Sequence, residues 1–396
     1  MSTTMEAGVE STSSSLTSNT SGGSARPAKP QPVGMRSLAA PHIVCVHVDG
    51  FFAAVEQALQ RRFRGRPVAV GRERVVSASY ETKLLGVTTG MTISQALQCC
   101  PTVKVFPGHF KAYAEYAERV RCILESFSPA VDAAADHGFY LNFFGSPWLG
   151  ENYPGALRRL QLEILRNTGL SASIGAGKTR VAAAVAARLE RPRGLRVVEP
   201  GTEGAFLASL PVDALHGIGG IDADNLRKRG ISTIGALRRV PLAALQAAYG
   251  DALGRQAWEN SRGNDCTLLG TQAKPGQLSR KVAVDGATMD GEYLSALMEY
   301  LCLRISCVLR DTRRQVCTIA VRVQYADQFT ASKSLQLPSA AHGGDELLLA
   351  ARGLFRTVFA RKVAVQSLEV SAGSVISPDM EDGYGRSHLS ATAAIA

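Results

Sequence analysis

Between Ile43 and Leu59 the chain switches once from strand to helix, and that switch limits the folds open to it. Ile43-Val44-Cys45-Val46-His47-Val48 is apolar apart from one histidine and reads as a buried strand. Asp49-Gly50 is a turn dipeptide, after which Phe52, Val55 and Leu59 share one face of a helix. A strand that feeds straight into a packed helix is the opening of an α/β layer.

The alternation continues to about Val198. Strand signals at 68–70 and 75–77 precede helices at 92–99 and 110–127. A hairpin over 130–144, a helix over 154–168, a strand at 171–174, a helix over 180–190 and a strand at 195–198 complete the unit. From Gly201 to Gly263 the pattern is wholly helical, with glycine in the turns. A stretch containing Gly270, Pro275 and Gly276 reads as a linker, and a βαββαβ order follows from Ser279 to Ser371. The expected divisions are a tail (1–40), an α/β region (41–204), a helical domain (205–264), a linker (265–278), a small α+β domain (279–375) and a flexible tail (376–396).

Charge points to the partner. Lys plus Arg number 44 against 34 Asp plus Glu, a net charge of +10, which favours a polyanion, nucleic acid before an acidic membrane surface. No apolar run reaches transmembrane length, so no membrane is expected. The Ser/Thr/Gly-rich start lacks the apolar core of a signal peptide and reads as disordered. Eight cysteines without a Cys-x-x-Cys pair make neither a disulfide framework nor a zinc signature, and predict a cytoplasmic setting.

Several motifs, in order, resemble those of the Y-family (DinB/UmuC-like, translesion) DNA polymerases. Val46 to Glu56 resembles the family's Asp-x-Asp-x-Phe-Phe-Ala-x-Val-Glu, with the first, metal-binding Asp falling on His47 and the sugar-sensing aromatic on Phe52. Val76 to Val87 resembles the segment that holds the incoming triphosphate, which places Ser77, Tyr80 and Lys83 in that role; Lys83 stands where the family has Arg and loses its bidentate fork. Phe127-Ser128-Pro129 and Tyr140-Leu141 anchor the second catalytic segment without gaps, so its metal-binding Asp falls on His137 and its catalytic Glu on Gly138. Arg180 to Ala186 resembles Lys-x-x-Ala-Lys-Ile-Ala, keeping a cation at Arg180 and replacing the second lysine by Ala184. Gly175-Ala176-Gly177-Lys178-Thr179 is no phosphate-binding loop, because Ala172 stands where the first glycine is required.

The resemblance implies a right-hand polymerase fold: palm and fingers, a helical thumb with a helix-hairpin-helix, and a βαββαβ little finger. It implies DNA contacts from Gly217, Gly219, Arg227 and Lys228 in the thumb and from Arg280 and Lys281 in the little finger, with primer-template as partner. Two-metal chemistry needs hard carboxylate oxygens, and imidazole serves Mg²⁺ poorly. Catalytic residues are therefore expected to be none, and no cofactor is expected; Mg²⁺ belongs only to an alternative reading as an active translesion polymerase with an atypical metal site. Asp49 and Asp136 lie two residues and one residue from the ligand positions, and with His47 and His137 they are weak candidates for a softer ion. The function expected is a non-catalytic, ImuB-like accessory in translesion synthesis and DNA repair, nucleoid-associated, beside a replicative-type polymerase or a sliding clamp. A metal- or nucleotide-sensing regulator on the same scaffold is the other alternative.

Overall fold

The computed structural model describes residues 42–134, 137–149, 152–215, 218, 220–264 and 277–376. The N-terminal tail, most of the linker, the C-terminal tail, Asp136, Gly217 and Gly219 lie outside them.

The chain opens with β1 (Ile43–Val48) and α1 (Phe51–Leu59), joined through Gly50 in the left-handed region at φ 59°. A three-stranded subdomain follows: β2 (Val68–Gly71), β3 (Val75–Ala78), α2 (Tyr80–Leu84), α3 (Ile93–Cys99) and β4 (Lys104–Phe106), in the order β3-β2-β4. Thr92 opens α3 with a capping box closed by Gln95. The chain then returns through α4 (Phe110–Phe127), β5 (Val131–Ala133), β6 (Phe139–Asn142), α5 (Tyr153–Thr168), β7 (Ala172–Gly177), α6 (Arg180–Leu189) and β8 (Leu195–Val197).

The main sheet has the order β5-β6-β1-β7-β8, so β1 is central, with Val46 opposite Phe139 and His47 opposite Ser173. Small residues set the depth of helix packing here. A Cβ on Gly175 would lie 2.1 Å from the Ala183 carbonyl oxygen and 2.2 Å from the Ala187 amide nitrogen, so the alanine-rich α6 lies directly on β7. Gly175–Thr179 is thus the end of a buried strand and the N-cap of a helix, whose Thr179 hydroxyl accepts from the Ala182 N–H.

Five helices follow: α7 (Glu203–Ala208), α8 (Gly220–Lys228), α9 (Ile234–Arg238), α10 (Leu242–Tyr249) and α11 (Asp251–Ser261). Leu207, Leu226, Ile234, Leu237 and Leu245 form their core, to which α6 adds Val185. The last domain is β9 (Leu278–Thr288), α12 (Gly291–Asp311), β10 (Gln315–Tyr325), β11 (Thr330–Ala341), α13 (Gly344–Val358) and β12 (Val365–Ile376), with sheet order β11-β10-β12-β9.

One helix carries two interfaces. Eleven of the 21 residues of α12 are buried, too many for a single apolar stripe. Leu294, Leu297, Leu301 and Ile305 form one stripe, against the domain's own sheet. Tyr300, Arg304 and Cys307 form a second at i, i+4, i+7, and α12 packs extensively on α4 of the first domain. Among the described residues no helix is long and apolar enough to cross a membrane.

Candidate nucleotide cleft and nucleic-acid interface

The three positions that the resemblance assigns to carboxylates lie at the C-terminal end of β1 and in the β5–β6 turn. His47 is buried in the central strand. His137 occupies the left-handed region at φ 58°, and its ring lies 4.4 Å from Phe52 and 5.5 Å from Phe51. Gly138 contributes only backbone: its carbonyl accepts from the Ala134 N–H at 2.8 Å and closes the hairpin.

Asp49 is committed elsewhere. Its carboxylate accepts hydrogen bonds from Ser173 Oγ (2.8 Å), the Arg193 N–H (3.0 Å) and Ser171 Oγ (3.2 Å), which tie β1 to β7 and the loop before β8. Burial pushes its pKa up, against these donors and Arg191. Asp136 lies outside the described residues. Among the described residues, no group of three His, Cys, Asp or Glu side chains is gathered to hold a metal ion.

Beside His137, between the three-stranded subdomain and the main sheet, lies a cavity of about 490 Å³. Ser77 and Lys83, two of the residues the resemblance assigns to the nucleotide, line it with Arg74, Arg188 and Arg191. The Lys83 ammonium lies 5.1 Å from the Tyr80 ring centroid. Asp290 also lines the cavity, but its carboxylate caps α12 by accepting from the Glu292 and Tyr293 N–H groups. Four cationic side chains around one engaged carboxylate suit an anion. They do not fit the pair of divalent cations that the family's chemistry requires, because among the described residues no group of carboxylates is gathered there.

Three residues predicted for nucleotide or DNA contact are used inside the protein. Phe52 is 1% exposed and packs on Tyr113 (4.6 Å, stacked), Phe110 (5.9 Å) and Tyr300 of α12 (5.4 Å), so it is a core ring rather than a wall of the cavity. Arg180 pairs with Asp132 at 2.8 Å, on the side of the sheet edge next to β9. Arg280 is buried and donates through Nε and Nη2 to the two oxygens of Glu118, at 2.9 and 2.8 Å. A basic residue at the start of a strand gave no sign that a carboxylate on a distant helix would claim it.

The thumb and the sheet face keep accessible charge. Lys228 is exposed in the last turn of α8, while Arg227 is shared between Asp213 (2.7 Å) and Asp224 (3.0 Å). Cross-strand register places Lys281, Glu369 and Arg322 in one row across β9, β12 and β10. Burial pushes the Lys281 ammonium pKa down, against the pull of Glu369. Arg322 reaches Glu369 at 3.4 Å, and Arg361 pairs with Asp327 at 2.7 Å.

Sequence reasoning missed two buried polar groups. Glu56 of α1 is fully buried and bonded by His109 Nδ1 (2.8 Å) and by the Tyr113 hydroxyl, which fixes Tyr113 against Phe52. Glu118 of α4 receives both Arg280 and Arg304, whose Nε lies 2.6 Å away. Burial by itself would push the Glu118 pKa up; Arg304 and Arg280 override it and hold it down at about 2. A legible signal existed: Glu118 continues an otherwise apolar face with Ala114 and Ala117.

Comparison with known proteins agrees with this architecture. Residues 46–188 match the impB/mucB/samB family, residues 213–265 the DNA polymerase-iota thumb domain, and residues 276–383 the impB/mucB/samB C-terminal domain. DNA polymerase IV 2 of Mesorhizobium japonicum is 31% identical over 340 residues, covering 84% of this chain and 80% of that protein. DNA polymerase IV of Dehalococcoides mccartyi is 28% identical over 345 residues, covering 86% and 88%. Among solved structures, the insertion ternary complex of Dbh DNA polymerase (TM-score 0.58, 23% identity) and DinB from Sulfolobus solfataricus (0.56, 22%) each cover 85% of this chain and 99% of their own, and share the fold. The motifs, the helical domain and the βαββαβ unit agree with these matches, and the chain belongs to the impB/mucB/samB family of Y-family (DinB/UmuC-like) DNA polymerases.

Proposed function

We propose that this protein binds DNA in damage tolerance and acts in translesion synthesis as a non-catalytic accessory. The observation that carries the reading is the identity of the three palm positions: His47, His137 and Gly138. Its relatives bear the name DNA polymerase IV, yet here the groups that would anchor two metal ions are two imidazoles and a hydrogen atom. Each loss of about 1.4 kcal/mol of transition-state stabilisation lowers the rate tenfold, and removing all three ligands forfeits several such steps. Phosphate contacts from the exposed Lys228 and Arg322 need no metal. Synthesis would then fall to a protein partner, a replicative-type polymerase or a clamp-bound one, at the nucleoid.

The deciding experiment is primer extension with Mg²⁺ and with Mn²⁺, run beside a primer-template binding titration on one preparation. The expected result is salt-sensitive binding without extension. Template-directed extension at rates ordinary for the family would sink the proposal.

A second reading has one observation in its favour. Arg74, Lys83, Arg188 and Arg191 around the 490 Å³ cavity suit a nucleotide's phosphates without a bridging metal, as a nucleotide-sensing regulator would need. Calorimetric titration with a deoxynucleoside triphosphate in the presence of EDTA tests it; silence there removes it.

A further inference from the structure

We infer that the little finger is docked on the palm over the family's nucleotide cleft, and that primer-template is admitted only when this contact opens. The second stripe of α12 makes the contact. Tyr300, 2% exposed, sets its ring 5.4 Å from Phe52, 5.4 Å from His137 and 6.2 Å from Phe51. One turn further along the helix, Arg304 bonds Glu118 and lies 5.8 Å from the Phe139 ring centroid, on β6 of the palm. Arg280, on β9, takes both oxygens of the same carboxylate. The partners come from two regions: Phe52, Glu118 and His137 from residues 46–188, and Arg280, Tyr300 and Arg304 from 276–383.

This contact has the character of a protein interior. Its aromatic rings are buried, and one carboxylate and two guanidinium groups are buried with good geometry, an arrangement that is stable only while all three stay together. A duplex cannot pass between surfaces whose ring centroids are 5.4 Å apart. Primer-template must therefore either displace α12 or bind away from the palm. The seam also turns one end of the little-finger sheet inward. Lys281 shares a cavity of about 540 Å³ with Asp132 and Arg180 of the palm, so a cation expected to meet phosphate is held at a domain boundary instead.

This inference rests on the proposed DNA binding for two of its readouts, the release of exchange protection and the affinity of the variants; scattering and exchange of the protein alone do not involve DNA. In the full-length wild type, small-angle scattering should give a compact profile, and the peptide covering residues 51–59 should be strongly protected from hydrogen exchange. Adding primer-template should release that protection. Tyr300→Ser and Glu118→Gln should each expand the profile and tighten primer-template binding by about tenfold or more, since apparent affinity scales with the binding-competent fraction. The wild-type exchange experiment stands even where a variant folds poorly. An expanded wild-type profile, or protection at 51–59 that bound primer-template leaves unchanged or deepens, overturns the docking gate. Expanded variants that bind DNA no better than wild type overturn it too. Absence of DNA binding in every protein tested counts against the proposed function, while scattering and exchange still decide whether the little finger is docked.

Discussion

Replacing Phe52 by alanine separates a ring that touches a nucleotide from a ring that holds a core together. In the structure Phe52 is surrounded by Tyr113, His137, Tyr300, Phe51 and Phe110, with centroids between 4.4 and 5.9 Å away. The void cannot collapse easily, because Tyr113 is fixed by its hydrogen bond to the buried Glu56 and Tyr300 by the packing of α12. Truncating a buried Phe costs about 3–5 kcal/mol. With a urea dependence of about 2 kcal/mol per molar, the unfolding midpoint should fall by about 1.5–2.5 M. The chain has two tryptophans, and Trp148 stacks on Phe127 of the palm at 5.0 Å, so its fluorescence in a Trp258→Phe background reports this domain alone. A midpoint shift below about 0.5 M would refute the packing argument and return Phe52 to a role at an open cleft.

Gly175→Ala should destabilise the palm by about 1–3 kcal/mol through overpacking, since the new methyl meets α6 backbone at 2.1 Å; an unchanged melting temperature would contradict this. The Glu118 carboxyl is held at about 2 against an ordinary 4.5, a lowered value, so its stabilisation is complete above about 4.5 and is lost as pH falls toward 2. Acid unfolding curves of wild type and Glu118→Gln should therefore converge across that window, and parallel curves would show that the pair contributes nothing. Lys228→Glu should weaken primer-template binding more than Arg227→Glu does, because Asp213 and Asp224 already engage Arg227. The double variant should lower the salt slope by about 1, the share of Lys228, and equal binding by all forms would remove the thumb from the DNA interface.

Long periodic segments were legible in the sequence, and partners across domains were not. The helix Phe110–Phe127 and the strand Gln315–Tyr325 fall where their periodicities place them, because each encodes its own exposed and buried faces. The three-residue β4 was missed: its stability comes from parallel pairing with β2, more than 30 residues earlier in the chain, and three residues carry no period. The first stripe of α12 could be read, since it faces its own sheet. The stripe of Tyr300, Arg304 and Cys307 could not, because its meaning depends on α4. For the same reason Arg280 looked like a phosphate ligand: charge and position along a strand do not separate a solvated cation from one bonded to a buried carboxylate.

The non-acidic residues at 47, 137 and 138 and the proposed docking of the little finger have a common physical basis. A carboxylate at position 137, among the rings of Phe51, Phe52 and Tyr300, or in the buried strand at position 47 would need water or a cation beside it. Burying them behind Tyr300 would cost several kcal/mol per ion before any compensation. An imidazole can be buried without a charge and Gly138 has no side chain, so the residues at 47, 137 and 138 are compatible with α12 docked over this site, where carboxylates would oppose it. The double replacement His47→Asp, His137→Asp should therefore undock the little finger at neutral pH. Scattering should show an expanded particle, and exchange at residues 51–59 should rise. Lowering the pH should reverse both changes, because protonation removes the buried charge. A double variant that stays as compact and as protected as wild type at neutral pH would show that the palm tolerates buried carboxylates, and that their absence has nothing to do with the docked arrangement.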